Sequence, residues 1–178
     1  MTDRNSTSQL RWRTVAVMAC FALAACGRDA KRSADSASAE ARDYVPSDAK
    51  HFSAADFATL RWIEGDWRGR IPSGAAFYER YKFVDDSTIM MHGFEDSTLT
   101  VPNDSATIVF RNGVVIDRGG KARWTASRLD STGIDFAPAQ GATNQFSWNR
   151  QSADKWTAAI RPRTGNRTVY PMERIRLR

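Results

Sequence analysis

The sequence predicts an all-β domain, an antiparallel up-and-down barrel or half-barrel of about 8–10 strands behind a short N-terminal helix. After residue 65, short segments rich in aromatic and β-branched residues recur about every ten residues, separated by turn-forming clusters such as Asn112-Gly113. In several segments apolar and polar side chains alternate, which gives each strand one apolar and one polar face. A sheet closed on itself fits this pattern better than a two-sheet sandwich.

A short helix is predicted over 54–62, immediately before the strands. Ser53 is a favourable N-cap, and Asp56 places an acidic side chain in the first turn. The apolar residues that share one helical face are Phe57, Leu60 and Ile63. We expect Gly65 to end the helix.

The strands follow in order along the rest of the chain. Their predicted ranges are 66–71, 76–84, 88–95, 97–101, 105–111, 114–118, 121–128, 133–137, 144–150, 155–161 and 167–177. Asn112-Gly113 is the strongest hairpin signal between them, because both residues accept the positive φ that a tight primed turn requires.

Alternation within the strands predicts which side chains face the barrel interior. On the strand at 76–84 the inward set is Phe77, Glu79, Tyr81 and Phe83. On later strands it is Ala122, Trp124, Ala126, Phe146, Trp148, Trp156, Ala158 and Ile160. Mainly polar side chains occupy the intervening positions, so we expect them to face solvent.

Residues 1–25 have the features of a secretory signal peptide. A basic start is followed by a short apolar run at 14–25, which ends in small residues and is too short to span a bilayer as a helix. The tetrapeptide at 23–26, Leu-Ala-Ala-Cys, resembles the lipobox of bacterial lipoproteins. This resemblance implies lipid attachment at Cys26 and anchoring in the cell envelope. With Gly27 next, it implies the outer membrane facing the periplasm.

Residues 26–50 are predicted to be a flexible tether that holds a barrel domain spanning 51–178. Alanine, serine and charged residues dominate the tether, so it has little apolar surface to bury. The chain has two cysteines, Cys20 and Cys26, and neither lies in the predicted domain. We therefore expect the domain to be stabilised by packing without a disulfide and to lack cysteine-based catalytic or metal sites.

The formal net charge of the chain is +6, and basic residues are concentrated at 150–178. A basic segment can indicate nucleic-acid binding, but an exported protein rarely meets nucleic acid, and we predict no nucleic-acid partner. Two interpretations stay open for this segment. It is either a solvated strand face or a weak contact surface for anionic lipid or polysaccharide.

The helix, the segment "LRWIEGDWRG" at 60–69 and the long meander resemble calycin-like barrels. More closely, they resemble a bacterial family of uncharacterised lipocalin-like domains that begins with Leu-x-Trp-(Leu/Ile)-x-Gly-x-Trp. A strand rich in Tyr and Glu follows in that family, here at 78–81, then a strand here at 88–93. A Met-Glu-Arg near the end matches 172–174. The resemblance covers about 55–178.

The resemblance implies a lipocalin-like barrel whose first-strand tryptophan packs across the closed end beneath the helix. Trp67 is that tryptophan, and Trp62 is its neighbour from the helix. Gly65 permits the tight turn between them. On this interpretation both tryptophans have a packing role rather than a catalytic one.

The sequence contains no nucleophile elbow, phosphate-binding loop or metal-ligand spacing, so it favours a role other than catalysis. The glycines and lysine at 117–121 lack the spacing of a phosphate loop. Some lipocalin-like barrels bind haem through a histidine on a late strand, but no histidine follows His92. We predict no cofactor.

Eight residues are candidates for lining a ligand site in the barrel interior: Trp67, Phe77, Glu79, Tyr81, Phe83, His92, Trp124 and Trp148. A buried carboxylate is unfavourable alone, so Glu79 is expected to pair with an inward arginine, to be neutral, or to contact the polar end of a ligand. For His92 the alternative is a partly buried structural histidine.

Two functions of different classes remain. The first is a membrane-anchored lipoprotein whose barrel binds a small apolar or amphipathic ligand. The second is an envelope interaction protein whose barrel is filled by its own aromatic side chains. The nine Phe and six Trp residues of the chain suit either function. An interior cavity of roughly 300 Å³ or more favours the binding protein.

Overall fold

Residues 45–176 are described by the structure, a computed structural model. They form a closed barrel of ten antiparallel strands, in which sequence neighbours pair and the last strand pairs with the first. The helical elements are α1 (Ala54–Ala58) and a 3₁₀ turn (Thr59–Ile63). The strands are β1 (Gly65–Arg70), β2 (Ala76–Asp85), β3 (Thr88–Phe94), β4 (Pro102–Arg111), β5 (Val114–Gly119), β6 (Ala122–Asp130), β7 (Gly133–Pro138), β8 (Asn144–Arg150), β9 (Lys155–Pro162) and β10 (Thr168–Arg174).

The predicted fold class is therefore confirmed as an all-β, closed up-and-down barrel with a short helix before it. Such an architecture is consistent with a lipocalin-like fold. The predicted signal peptide, Cys26 and most of the predicted tether lie outside the described residues.

The short helix begins as predicted. Ser53 Oγ accepts a hydrogen bond from the Asp56 N–H at 3.1 Å, and Asp56 Oδ2 accepts one from the Ser53 N–H at 2.8 Å, which completes a capping box. The helix tightens to 3₁₀ geometry after Ala58 and ends before Gly65. Its apolar face is fully buried and consists of Phe57, Leu60 and Ile63.

The strand predicted at 97–101 is wrong. Asp96 Oδ1 accepts hydrogen bonds from the N–H of Thr98 at 2.8 Å and from its hydroxyl, so the backbone turns there. Leu99 then adopts a φ of +54°, which no extended strand allows. The next strand, β4, begins at Pro102 rather than at residue 105, and proline is tolerated at the first position of a strand.

The barrel has two different ends. The closed end is the end covered by α1 and the 3₁₀ turn, and its interior is packed solid. The fully buried side chains packed there include Phe57, Leu60, Ile63, Trp67, Ile89, Ile108, Val115 and Trp156. The open end is the opposite one, which carries the connections at 71–75, 95–101, 120–121, 139–143 and 163–167.

A second, smaller apolar cluster lies on the outer face of the barrel. Val109, Val114 and Ile116 are buried there, and Ala49 packs against them. The Phe52 N–H donates to the Gly113 carbonyl at 2.7 Å, which holds the N-terminal segment against the β4–β5 hairpin. Contact with the barrel therefore begins before residue 51.

Within residues 45–176, the helical segments are too short and too polar for any of them to cross a membrane.

Candidate functional site

The barrel interior becomes more accessible toward the open end on most strands. On β3, Ile89 is fully buried, whereas Met91 and Gly93 are partly exposed. β4 shows the same trend from Ile108, which is fully buried, to Asp104, which is exposed. We call the interior of this open half the cup, and it is the candidate site. The residues that line it are Phe77, Glu79, Tyr81, Asp117, Trp124, Phe146, Trp148 and Tyr170.

Strand register places these side chains in the cup. Glu79 on β2 pairs with Trp67 on one side and Gly93 on the other, and directly paired residues of a sheet share a face. Trp67 is fully buried in the core, so Glu79 also points inward. On β5, Asp117 pairs with the core residue Ile108 and with Trp124, which fixes its inward direction in the same way.

Glu79 is partly buried and bonds to a tyrosine rather than to an arginine. The Tyr81 hydroxyl donates to Glu79 Oε2 at 2.8 Å. Burial raises the pKa of Glu79 to about 7, the Tyr81 hydrogen bond opposes this rise, and the negative charge of Asp104 adds to it. The neighbouring Arg80 lies on the outer face, where its Nε donates to Asp66 Oδ1 at 2.6 Å.

Asp117 is a second interior carboxylate, which the alternation pattern of the sequence did not indicate. Only 6% of its surface is exposed. Burial raises its pKa to about 7, and the positive charge of Arg123 offsets part of that rise. No hydrogen bond from a residue within 45–176 contributes to the pKa of this carboxylate. Asp117 is therefore a desolvated polar group pointing into the cup.

Tyr81 links the two carboxylates electrostatically. It is 3% exposed, and its pKa lies well above the usual value, because of burial first and then because of the negative charge of Glu79. Asp117 raises it further. The phenol thus remains protonated, and its single O–H is donated to Glu79.

Aromatic rings form the facing wall of the cup. Trp124 contacts Phe146 edge to face with centroids 5.5 Å apart, and Phe146 stacks on Phe136 at 4.5 Å. Trp148 lies 5.4 Å from the ring of Tyr81. The Trp124 Nε1–H donates to the Asn144 carbonyl at 2.8 Å, which fixes the indole at the open end. The cup therefore combines an acidic side with an aromatic side.

Two of the predicted site residues belong to the closed end. Trp67 is fully buried, its Nε1–H donates to the Ile63 carbonyl at 2.6 Å, and the Arg174 guanidinium lies 4.2 Å from its ring centroid. Phe83 packs edge to face against Phe57 of α1 at 5.8 Å. Both side chains are packing residues beneath the helix, which leaves them outside the cup.

His92 is not an interior residue, which corrects its assignment to the barrel interior. It pairs with Arg80 on β2 and with Ser105 on β4, so it lies on the outer face. Its Nδ1 is buried without a hydrogen-bond partner in the described part of the chain. The segment Thr88–Phe94 has apolar residues at both alternating positions, and this is why alternation alone did not fix its inward face.

The remaining five predicted residues occupy inward positions in the open half: Phe77, Glu79, Tyr81, Trp124 and Trp148. Phe77 lies at its mouth, with its ring edge to face against Tyr170 at 6.1 Å. Two depressions of about 400 and 350 Å³ lie at the rim and on the outer wall instead, the first lined by His92 and residues 102–105. Among residues 45–176 no three His, Cys, Asp or Glu side chains are grouped to hold a metal ion.

Comparison of the chain with protein-family models finds no match, and no curated protein matches it either.

Proposed function

We propose that the protein is a membrane-anchored lipoprotein whose barrel binds a small apolar or amphipathic ligand in the cup. The observation that carries this proposal is the contrast between a closed end filled with apolar side chains and an open half whose inward side chains include Glu79, Tyr81 and Asp117. Ligand sites in proteins are mostly apolar and contain few, convergent polar groups. Aromatic rings around Glu79, Tyr81 and Asp117 fit that description.

A neutral fluorescent reporter, N-phenyl-1-naphthylamine, tests the binding function. We expect its emission to rise on addition of the protein and to saturate at one equivalent. Ala106→Phe narrows the cup, because Ala106 is a partly exposed interior residue, two residues from Asp104 on the inward face of β4. The matched control is Thr107→Phe, which changes the adjacent outward position.

If both variants fold, and Ala106→Phe loses reporter binding while Thr107→Phe keeps it, the result supports the cup as the binding site. Equal binding by the two variants would move the site to the outer wall. No binding by the wild-type protein would contradict the proposal.

The second candidate function is an interaction protein with a self-filled barrel. It is favoured by the mutual packing of Trp124, Phe136, Phe146 and Trp148, and by the position of both depressions outside the barrel. The reporter experiment separates the two functions, because a filled barrel gives no saturable emission.

The membrane anchor is tested separately at Cys26. Cys26→Ser is expected to abolish metabolic labelling with a radioactive fatty acid and to release the protein from the membrane fraction. Cys20→Ser is the matched control, because Cys20 belongs to the predicted signal peptide. Unchanged labelling and fractionation of Cys26→Ser would contradict lipidation.

A further inference from the structure

The cup has more acidic than basic inward groups on strands β2 to β6, and the charge of Arg123 offsets that of Asp117 only in part. Glu79 and Asp117 point into it, and Asp104 stands at its rim. Directly paired residues share a face, so Arg80, Lys82, Arg118 and Arg123 lie outside. Across the described strands β2 to β6, no lysine or arginine occupies an inward position.

Asp117 is the most deeply buried of these acidic side chains. It is more than nine-tenths buried and points inward, and within residues 45–176 no hydrogen-bond donor contributes to its pKa. A buried carboxylate left without a donor is costly, whereas a cation brought by a ligand would remove that cost. Glu79 differs, because it already accepts one hydrogen bond from Tyr81.

The aromatic side of the cup also suits a positive charge. The rings of Trp124, Phe146 and Trp148 line it, and the faces of aromatic rings attract cations, tryptophan most strongly. Aromatic cages are known binding sites for quaternary ammonium groups. The acidic and the aromatic sides of the cup therefore favour the same kind of ligand.

We propose that the ligand of the cup is a cationic amphiphile, an amine or quaternary ammonium whose positive group is held by Asp117 and Glu79 while its apolar part contacts the aromatic wall. This inference rests on the proposed binding function and specifies the chemical class of ligand for the same site. The acidic rim residue Asp104, two strands from Glu79, extends the negative potential to the mouth of the cup.

The proposal implies that binding depends on pH. The charged or titratable groups near the two carboxylates are Tyr81 on β2, Asp104 on β4 and Arg123 on β6. Burial brings the pKa of both carboxyls to about 7, so an ammonium ion must bind the ionised form and shift these groups toward ionisation. Affinity for a cation should therefore rise between pH 6 and pH 8.

Three probes with the same chain test the charge preference: octyltrimethylammonium, octanol and octanoate, each competing with N-phenyl-1-naphthylamine. At pH 8 we expect the ammonium to displace the reporter at a concentration at least tenfold below that of octanol, and octanoate to be the weakest. From pH 6 to pH 8 the ammonium should gain about tenfold in affinity for each carboxylate that ionises. Octanol should change little.

Asp117→Asn keeps the shape of the side chain, and it should reduce the affinity for the ammonium about tenfold more than it reduces the affinity for octanol. Asp86→Asn is the matched control: it removes the same charge from an exposed side chain at the closed end. The wild-type pH series requires no variant, so it decides the question even if Asp117→Asn fails to fold.

The possible results separate the inference from the proposed function. Reporter and octanol binding without an ammonium preference would overturn the cationic ligand and keep the binding function. The same holds if octanoate competes best. If neither the reporter nor any probe binds, both proposals fail.

Discussion

The closed and open ends of this barrel are built from the same ten strands, yet they differ in what fills them. At the closed end, α1 and the 3₁₀ turn add an apolar layer, and the inward side chains beneath it are fully buried. At the open end, the inward side chains include two carboxylates and partly exposed aromatic rings. The fully buried apolar side chains are thus concentrated at one end, and the carboxylates that are costly to bury lie toward the other.

The largest expected effect distinguishes a tryptophan at each end. Trp67→Ala should lower the free energy of unfolding by about 3–5 kcal/mol, because it removes a fully buried indole. Trp124→Ala should lower it by only about 1–2 kcal/mol, because that indole is already partly exposed. Urea unfolding of both variants measures the difference. Equal losses would contradict the division into a filled and an accessible half.

Much of the fold was predictable because its signals are local. The capping box at Ser53, the Asn112-Gly113 turn and the alternation on β2 each need only a few neighbouring residues. Asn112 and Gly113 do adopt positive φ angles, +52° and +82°. The strand predicted at 97–101 failed because side-chain hydrogen bonds of Asp96 to Thr98 compete with strand pairing, and composition alone does not reveal such bonds.

The candidate site was less predictable, because both faces of some strands are covered. On β5, the outward Val114 and Ile116 are buried with Ala49, so "VVI" shows no alternation before Asp117. Asp117 lies two residues after Val115 and therefore shares its face, but no neighbouring residue in the sequence identifies Val115 as inward. Glu79 was found because the polar residues Arg80 and Lys82 alternate with its apolar neighbours.

The second prediction uses the pH dependence of stability to probe the open half. The pKa values of Glu79 and Asp117 are about 7 in the folded protein, against reference values of 4.5 and 3.8. A carboxyl whose pKa is higher in the folded than in the unfolded protein stabilises the fold fully at pH values below its unfolded pKa. That stabilisation is lost as the pH rises through the folded pKa. The free energy of unfolding should therefore fall by about 3 kcal/mol from pH 5 to pH 8, with Asp117 contributing more because Glu79 is partly exposed.

Chemical unfolding at pH 5, 6, 7 and 8 checks this slope. The double variant Glu79→Gln with Asp117→Asn should flatten it, whereas Asp86→Asn at the closed end should not. A rise in stability over the same range would mean that both carboxylates have cationic partners in the folded protein.

The third prediction compares a glycine at each end. Gly65 has a φ of +124°, and a Cβ there would strike the Arg174 guanidinium. That guanidinium donates to the carbonyl of Glu64 at 2.7 Å and caps the 3₁₀ turn. Gly65→Ala should cost about 3 kcal/mol, from backbone strain plus the displaced cap.

Gly74, in the β1–β2 connection at the open end, is the matched position. Its φ is +92°, and no heavy atom of its surroundings lies within 4 Å of a Cβ placed there. Gly74→Ala should therefore cost about 1 kcal/mol, from backbone strain alone. Melting curves of the two variants separate strain from packing. Equal losses of stability in the two variants would show that the Arg174 guanidinium can move aside without destabilising the fold.

The smallest expected effect tests the two faces of one strand within the open half. His92 lies on the outer face of β3, and Met91 lies on the inner face beside Tyr81. His92→Ala should change the free energy of unfolding by less than about 0.5 kcal/mol, because the side chain is partly exposed and its buried Nδ1 makes no hydrogen bond within the described residues. It should leave the affinity for N-phenyl-1-naphthylamine unchanged.

Met91→Ala should alter that affinity, because it removes a cup-facing side chain without changing charge. Parallel titrations of the two variants decide the matter: reporter affinity that depends on His92 and not on Met91 would place the ligand on the outer wall, next to the depression at residues 102–105.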